Sequence, residues 1–367
     1  MSKELKSDED IKKFISEKPL KKILLLSGEN SFNKTGAKKI FKEYLKKNEF
    51  KIFLKKKKLP EIDELEKIIE TVGNFRPDLI IAIGGGCVMD LAKISSVITN
   101  SKNIKEDVIN SNFIENKIKV LAIPTTAGSG AEVTSNAVIY LNKIKYSVEG
   151  PSVRPDYFFL KPELILSSNF YLDATACFDA ISQSVESLFS INSNDESIMF
   201  AKKGLEILFG NFKDYFKNKS IQNSYKMLIG ANFSGKAINI SKTIAPHALS
   251  YPFTTLYGIP HGHAVSLTFN EILNFNFLNM NRSKNPTDLK LKYEILFNLT
   301  KTNNIEGLNS YFIKLKKDLG LEQDHKKLNI NLISDKEKFF SGINSQRLKN
   351  NPIEIAKDDL EKIFKIQ

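Results

Sequence analysis

The chain contains 367 residues, of which 41% are hydrophobic and 26% are charged, and its formal net charge at pH 7 is +12. These values are typical of a globular protein and exclude a disordered, fibrous or low-complexity chain, while the length favours two domains over one. The positive charge suggests that the protein could bind nucleic acid. However, only four of the 54 basic residues are arginine. Because arginine dominates phosphate and base recognition, we expect a lysine-rich solvated surface and no nucleic-acid partner.

The compartment is predicted from the hydropathy pattern and the cysteines. No apolar run reaches the ~18 residues that suggest a membrane span, and residues 1–14 are polar and unlike a signal peptide. We therefore expect a cytoplasmic protein without membrane contact. Cys87 and Cys177 show no CxxC spacing, which predicts buried free thiols. The run of four lysines at 55–58 is expected to face solvent.

The first 165 residues alternate apolar runs of strand length with amphipathic segments of helix length. This alternation indicates βαβ organisation and a parallel sheet. Strands are predicted over residues 21–28, 50–56 and 78–86, the last running into glycines, and a fourth begins at residue 119. Helices are predicted over residues 36–48, 61–75 and 87–99. The sequence therefore predicts an α/β domain over residues 1–165.

Two loops that follow predicted strands carry the residues expected of a nucleotide site. Gly84, Gly85 and Gly86 end a strand and open a helix, so a phosphate could approach the backbone and meet N–H groups at the helix start. The loop matches neither GxGxxG nor the P-loop pattern. The segment PTTAGSGAEVT (124–134) repeats the design with small residues and hydroxyls. Both loops are expected at the carboxyl edge of the sheet, where open α/β sheets bind ligands.

Beyond about residue 165, long segments with helical periodicity replace the strands, which predicts an all-α domain over residues 166–367. Asp179 and Gln183 are four residues apart and lie on one face of a predicted helix. His247, His261 and His263 cluster within one stretch and are three of the four histidines. A carboxylate and imidazoles from different helices can form a metal site, although a single histidine in a helical domain is usually a structural polar residue.

Four motifs in order resemble the iron-containing alcohol dehydrogenase family. They are GGGCVMDLAK (84–93), PTTAGSGAEVT (124–134), DAISQSVES (179–187) and HALSYPFTTLYGIPHGHA (247–264). The resemblance covers nearly the whole chain. It implies an amino-terminal dinucleotide-binding α/β domain, an all-helical carboxyl-terminal domain, and a cleft between them for cofactor, divalent metal and substrate.

The resemblance implies a metal site for Fe²⁺ or Zn²⁺ built from Asp179, Gln183, His247 and His261. The family carries a histidine where this chain has Gln183, and a neutral amide oxygen is a weaker ligand for these metals. Three interpretations stay open: Gln183 coordinates through its carbonyl oxygen, water fills its position, or the protein is metal-free and its histidines act by hydrogen bonding. Catalytic roles are expected for His247 and His261, and His263 is expected to line the cleft or relay a proton.

The resemblance also implies a bound nicotinamide cofactor. Cofactor contacts are expected from Gly28, Ser31, Gly84, Gly85, Gly86, Cys87, Asp90, Thr125, Thr126 and Ser129. Many family members place an aspartate at the end of the first strand, where it repels the 2′-phosphate of NADP. Gly28 stands there in this chain, so we expect NADPH to be used at least as well as NADH.

The expected reaction is reduction of a small aldehyde to an alcohol, or the reverse. The last motif is similar to a branch of the family that reduces phosphonoacetaldehyde to 2-hydroxyethylphosphonate, and Lys145 and Arg154 are candidates to hold the phosphonate. Two alternatives are a lyase like dehydroquinate synthase, which shares the architecture, and a dinucleotide-binding protein that has lost catalysis. The family implies a homodimer.

Overall fold

The structure is a computed structural model that describes residues 2–16, 20–99, 101, 103–111, 117–142 and 144–364. The chain divides into two compact units. The first contains residues 1–168 and 217–235, and the second contains residues 169–216 and 236–367. No helix in the described part of the chain is long and apolar enough to cross a membrane.

A six-stranded parallel sheet forms the centre of the first unit, in the order β1-β8-β5-β4-β2-β3. Its strands are β1 (Lys3–Glu4), β2 (Lys22–Gly28), β3 (Glu49–Lys55), β4 (Leu79–Gly84), β5 (Lys119–Pro124) and β8 (Tyr157–Phe158). The predicted strands at 21–28, 50–56 and 78–86 and the strand beginning at 119 are β2, β3, β4 and β5, which confirms the parallel α/β fold. A two-stranded antiparallel hairpin follows β5 and consists of β6 (Asn136–Leu141) and β7 (Ile144–Glu149).

Both faces of the sheet are buried because side chains alternate across it. Leu24 and Ile80 pack on one face within a cluster that includes residues of the hairpin, and Ile23 and Ile81 pack on the other face. Helices before β5 are α1 (Asp8–Ser16), α2 (Glu29–Lys34), α3 (Ala37–Tyr44), α4 (Ile62–Phe75), α5 (Gly86–Val97) and α6 (Ile104–Asn110). The helices predicted at 36–48, 61–75 and 87–99 correspond to α3, α4 and α5.

One lysine of the run at 55–58 does not face solvent, so that prediction was wrong in part. Lys55 is buried at the end of β3, and its Nζ lies 3.6 Å from Oε2 of Glu64 on α4. Lys56, Lys57 and Lys58 are exposed as expected. The sequence alone could not distinguish Lys55 from the three lysines that follow it. The difference arises because Lys55 is the last residue of β3 and points into the protein.

Residues 217–235 belong to the sheet-containing unit, although they lie well beyond the predicted boundary at 165/166. Gly130 and Gly235 are in contact: a Cβ on Gly130 would lie 2.4 Å from the Cα of Gly235. Gly130 also has a φ of +59°, which favours glycine. Nearby, Asn232 Nδ2 donates to Glu132 Oε1 at 2.8 Å, and both residues are buried. These contacts explain why this helical segment packs with the first unit.

The second unit is helical throughout its described residues apart from loops and turns, as the periodicity predicted. The helices of the carboxyl-terminal half are α7 (Phe170–Phe189), α8 (Asp195–Lys217), α9 (Ile221–Ser241), α10 (Ala245–Tyr257), α11 (His261–Leu278), α12 (Pro286–Thr300), α13 (Ile305–Asp318), α14 (Lys336–Ser341), α15 (Ser345–Leu348) and α16 (Lys357–Ile363). Three of them, α7, α10 and α11, carry the histidine and aspartate motifs.

Candidate metal centre and dinucleotide loops

Three side chains from three helices of the second unit converge on one point. Asp179 lies on α7, His247 on α10, and His261 is the first residue of α11. His247 Nε2 is 3.3 Å from Asp179 Oδ1, and His261 Nε2 is 4.0 Å from the same oxygen. One ligand atom from each residue lies within 4.8 Å of the others. The sequence predicted that these residues lie together, and the structure brings them into one group that could hold a metal ion.

Gly262 lets α11 begin directly against α7. A Cβ at this position would lie 1.9 Å from the carbonyl oxygen of Thr175 and 3.0 Å from the Cβ of Asp179. The absence of a side chain therefore allows the backbone of α11 to reach the helix that carries the aspartate. Because His261 is the neighbouring residue, this close approach also brings its imidazole to within reach of Asp179.

Glu186 holds His247 from the side opposite Asp179. Its Oε1 lies 2.5 Å from His247 Nδ1, and its Oε2 accepts hydrogen bonds from the backbone N–H groups of Ile244 at 2.8 Å and His247 at 3.3 Å. Glu186 is only 1% exposed. A carboxylate that accepts from Nδ1–H fixes the ring and leaves Nε2 as the atom for a metal ion.

Ser250 determines which ring nitrogen of His261 carries the proton. Its Oγ donates to the carbonyl oxygen of His247 at 2.8 Å, so its single hydrogen is already used. His261 Nδ1, which is 3.3 Å from the same hydroxyl oxygen, must then be the donor. In the neutral ring this arrangement leaves the Nε2 lone pair directed to the cluster.

The electrostatics of the cluster suit a cation. Burial alone would lower the pKa of His247, but the carboxylates of Glu186 and Asp179 outweigh burial and raise this pKa to about 10. The pocket around the Nε2 atoms therefore stabilises positive charge. A carboxylate oxygen and two imidazole nitrogens are also ligand types that bind Fe²⁺ and Zn²⁺, so the donor set fits the metal that the sequence motifs imply.

Gln183 lies one turn after Asp179 on α7 and is 4% exposed. Its position on the face shared with Asp179 agrees with the spacing in the sequence. Whether its carbonyl oxygen acts as a fourth ligand stays a prediction.

His263 differs from the other two histidines of its motif because both of its ring nitrogens are engaged elsewhere. Its Nε2 lies 2.6 Å from the carbonyl oxygen of Glu322, which can only accept, so Nε2 carries the proton. Its Nδ1 lies 2.8 Å from the Tyr171 hydroxyl and accepts from it. Burial lowers the pKa of His263, in keeping with this neutral form. The expected catalytic role of His263 stays a prediction.

In the first unit, the two predicted loops lie side by side at the carboxyl edge of the sheet. Gly84 pairs with Pro124 in the β4–β5 register, and Thr125 N–H donates to the Gly84 carbonyl at 3.0 Å. A Cβ on Gly86 would lie 3.0 Å from Ser129 Oγ, which shows how closely the loops approach. Gly85 is the residue before α5, and it has no side chain that could accept a hydrogen bond from the N–H groups of the first helical turn. The start of α5 therefore has the open backbone that a phosphate needs.

The other predicted cofactor residues surround this edge. Gly28 ends the adjacent strand β2, and a Cβ on it would lie 3.7 Å from Ser31 Oγ. Burial raises the pKa of Asp90 to about 6, although the Lys93 ammonium opposes this shift. Burial and the neighbouring Asp90 raise the pKa of Cys87 to about 11, so this thiol stays protonated at neutral pH. Cys87 is only half-buried, which corrects the expectation of a buried thiol.

Of the predicted cofactor residues, Thr125 is buried and Thr126 lies within 3.4 Å of where a Cβ on Gly85 would be.

The two predicted substrate residues also belong to the first unit. The Lys145 ammonium on β7 opposes the rise in the pKa of both Cys87 and Asp90. Arg154 follows a short 3₁₀ turn and is half-buried.

Two functional candidates were missed from the sequence. Glu186 stands within the motif that contains Asp179, and its seven-residue spacing from Asp179 could have placed it on the same helix face. Lys93 on α5 is fully buried and donates to Thr134 Oγ1 at 2.9 Å and to the Asn136 carbonyl at 3.0 Å. These hydrogen bonds fix the segment that joins the small-residue loop to the hairpin.

Models of one protein family match most of the chain. Residues 6–162 match the model described as iron-containing alcohol dehydrogenase, and residues 173–367 match that of the carboxyl-terminal part of the Fe-containing alcohol dehydrogenase family. The chain belongs to the iron-containing alcohol dehydrogenase family, which confirms the resemblance drawn from the four motifs.

Individual known proteins are moderately similar to this chain. A phosphonoacetaldehyde reductase of Streptomyces viridochromogenes is 31% identical over 226 residues, 58% of this chain and 57% of the relative, so the match spans little more than half of that reductase. An NADPH-dependent butanol dehydrogenase of Clostridium saccharobutylicum is 26% identical over 94% of this chain and 91% of its own length. The structure of sulfoacetaldehyde reductase from Bifidobacterium kashiwanohense in complex with NAD⁺ shares the fold, with a TM-score of 0.87, 21% identity and coverage of 99% and 96% of the two chains.

The Glu186→Gln variant is expected to bind its metal ion about 10–100-fold more weakly, because the amide no longer supplies the charge that orients and polarises His247. The measurement is competition for Zn²⁺ against a chromogenic chelator. Glu294→Gln, the same change at an exposed position of α12, is the control and should leave affinity unchanged. Equal affinities for Glu186→Gln and the wild-type protein would show that this carboxylate does not support the metal ligand.

Proposed function

We propose that the protein reduces a small aldehyde to the corresponding alcohol with NADPH or NADH, or catalyses the reverse oxidation. The cluster of Asp179, His247 and His261 is the observation that carries this proposal, because its ligand atoms lie within 4.8 Å of one another. Three protein ligands are typical of catalytic sites, which keep a coordination position for substrate. When bound, the metal ion supplies Lewis-acid polarisation of a carbonyl group, and the nicotinamide supplies the hydride.

The residues of the chain have distinct roles in this proposal. Asp179 provides the negative charge of the metal site, His247 and His261 provide neutral nitrogen ligands, and Glu186 orients His247. Gln183 stands where the family carries a further histidine, and we propose that its carbonyl oxygen or a water molecule completes the coordination. The second candidate is a metal-independent reductase, in which the histidines polarise the carbonyl by hydrogen bonding. Gln183 in place of a histidine ligand favours this candidate.

For the cofactor, we propose that the phosphates bind the adjacent loops at Gly85 and Ser129 and the start of α5. Gly28 supports use of NADPH, since the last residue of β2 carries no carboxylate that would repel a 2′-phosphate. The name of the butanol dehydrogenase relative agrees with this choice of cofactor. We expect NADPH to support turnover at least as well as NADH, and a strong preference for NADH would contradict this.

For the substrate, we propose phosphonoacetaldehyde, with 2-hydroxyethylphosphonate as the product. The similarity to the reductase of Streptomyces viridochromogenes supports it. The phosphonate group requires cationic donors, and Lys145 and Arg154 are the proposed ones. Arg154→Ala should then weaken turnover of phosphonoacetaldehyde and spare that of butyraldehyde, a neutral aldehyde. Equal losses on both aldehydes would contradict this assignment.

The test combines elemental analysis of the purified protein with NADPH oxidation by phosphonoacetaldehyde, before and after chelation. We expect about one iron or zinc ion per chain, loss of turnover on chelation, and recovery when metal is returned. Negligible metal with undiminished turnover would instead establish the metal-independent reductase.

Two further outcomes would overturn the proposed function itself. Cofactor binding without turnover of any aldehyde would indicate a dinucleotide-binding protein without catalysis. A reaction in which NAD⁺ is used but not consumed would indicate a lyase like dehydroquinate synthase. Net oxidation of NADPH by an added aldehyde distinguishes the proposal from both.

A further inference from the structure

The lysine segment, residues 55–58, begins at the same edge of the sheet as the glycine loop at 84–86. Gly28 and Lys55 are the last residues of β2 and β3, and they pair in the parallel register. On its other side β2 pairs with β4, which ends in the glycine loop. Because adjacent strands are about 4.8 Å apart, the lysine segment begins about 10 Å along this edge from the end of β4.

Glu64 on α4 holds the backbone of the lysine segment in place. Its Oε1 accepts hydrogen bonds from the N–H groups of Lys56 at 2.7 Å and Lys57 at 3.1 Å. The buried Lys55 lies beside it, with Nζ 3.6 Å from Glu64 Oε2, and this ammonium also donates to the carbonyl oxygen of Lys57. The remaining side chains of the segment therefore extend from a backbone that is already fixed before any ligand binds.

Lys57 uses its charge within the protein, whereas Lys56 and Lys58 do not. Lys57 Nζ lies 2.8 Å from Glu61 Oε2 and 2.7 Å from Asp63 Oδ1, at the start of α4. Lys56 and Lys58 are exposed, and no carboxylate of the described residues forms an ion pair with either of them. Two ammonium groups at this edge are therefore available to an anion from outside the protein.

We propose that Lys56 and Lys58 bind the 2′-phosphate of NADPH and thereby select it over NADH. This assignment rests on the proposed function, in which the cofactor phosphates bind at the glycine loop. A dinucleotide bound there places its adenosine ribose at the end of a neighbouring strand. Here that strand is β2, which ends at Gly28. The lysine segment comes next along the edge, where ammonium groups form stronger hydrogen bonds to a phosphate than to a ribose hydroxyl group.

Glu29 is the charge that opposes this binding. It is exposed and begins α2, directly after Gly28. Electrostatic energy falls with distance and is screened by salt, so the charges in contact with the phosphate dominate. Two lysines that reach the phosphate therefore outweigh one carboxylate that turns away from it. Removing the negative charge should strengthen binding of a 2′-phosphate, which is the opposite of the effect expected for the lysines.

The test is isothermal titration of the full chain at pH 7 with adenosine 2′,5′-bisphosphate and with AMP, which differ only in the 2′-phosphate. Neither aldehyde nor metal is required, so the result does not depend on turnover. We expect the wild-type protein to bind the bisphosphate more tightly than AMP, and this preference should decrease as salt is added. If neither nucleotide binds, the proposed cofactor site fails together with this assignment.

The double variant Lys56→Met/Lys58→Met is expected to bind the bisphosphate about tenfold more weakly and to bind AMP as the wild-type protein does. The matched control is Lys46→Met/Lys47→Met, which removes the same charge at exposed residues before β3, at the opposite edge of the sheet. It should retain the wild-type preference. An unchanged preference in the first variant, or equal weakening of both nucleotides, would overturn the assignment and leave the cofactor site itself in place.

Glu29→Gln provides a second test with the opposite sign. The variant should bind the bisphosphate more tightly and leave the affinity for AMP nearly unchanged, because only the bisphosphate carries the additional negative charge. Weaker binding of the bisphosphate to Glu29→Gln would show that the 2′-phosphate lies elsewhere.

Discussion

Replacing Gly262 with alanine is expected to destabilise the helical unit by about 3 kcal/mol and to remove most of the metal-binding capacity. The new Cβ would lie 1.9 Å from the carbonyl oxygen of Thr175, and that oxygen belongs to the backbone of α7. Neither helix can avoid the clash by turning a side chain, so α11 must move away from α7. His261 begins α11 and would move with it, away from Asp179.

Urea unfolding followed by circular dichroism, together with elemental analysis, measures both effects of Gly262→Ala. The matched control is Gly210→Ala on α8, where a Cβ meets no atom within 4 Å. An exposed helical glycine replaced by alanine should raise stability by about 0.5–1 kcal/mol. Wild-type stability and metal content in Gly262→Ala would show that the two helices are not packed this closely.

The Asp179→Asn variant is expected to lose its metal ion and to lower aldehyde turnover by about two orders of magnitude or more. Asp179 is the anionic member of the cluster, and both imidazoles direct Nε2 to its Oδ1, at 3.3 and 4.0 Å. Asparagine preserves the size of the side chain but removes the charge that offsets the cation. It also removes one of the two carboxylates that raise the pKa of His247, so this pKa should fall.

Metal per chain, thermal unfolding and NADPH oxidation are measured on the same preparation of Asp179→Asn. Asp318→Asn, the same change at an exposed residue of α13, is the control and should retain metal and turnover. A folded Asp179→Asn protein with full metal content and unchanged turnover would place the active metal site elsewhere.

The parallel sheet was predictable because its buried strands are apolar runs bounded by glycine, proline or charge. The segment 78–86 shows this, since Leu79–Gly84 is buried throughout and the glycines follow at the sheet edge. The hairpin formed by β6 and β7 was not predicted. Its residues are half-buried and mix polar and apolar types. It also directly follows the loop at 124–134, whose sequence indicates ligand binding rather than a strand.

The cluster of Asp179, His247 and His261 was predictable in its members, but the residue that supports it was not. The spacing of Asp179, His247 and His261 matched a family pattern, whereas the role of Glu186 depends on where α10 packs against α7. Residues 217–235 show the same limitation on a larger scale. Their periodicity predicted a helix, but only the contact between Gly130 and Gly235 shows which unit it packs with.

The carboxylates on either side of His247 also make protons and metal ions compete for the same imidazole. With a pKa raised to about 10, the ring of the metal-free chain carries a proton at neutral pH, and metal uptake must release that proton to the solvent. Acidification therefore lowers the fraction of chains that hold metal at a given metal concentration. The protein therefore needs a higher concentration of free metal to become loaded as the pH falls.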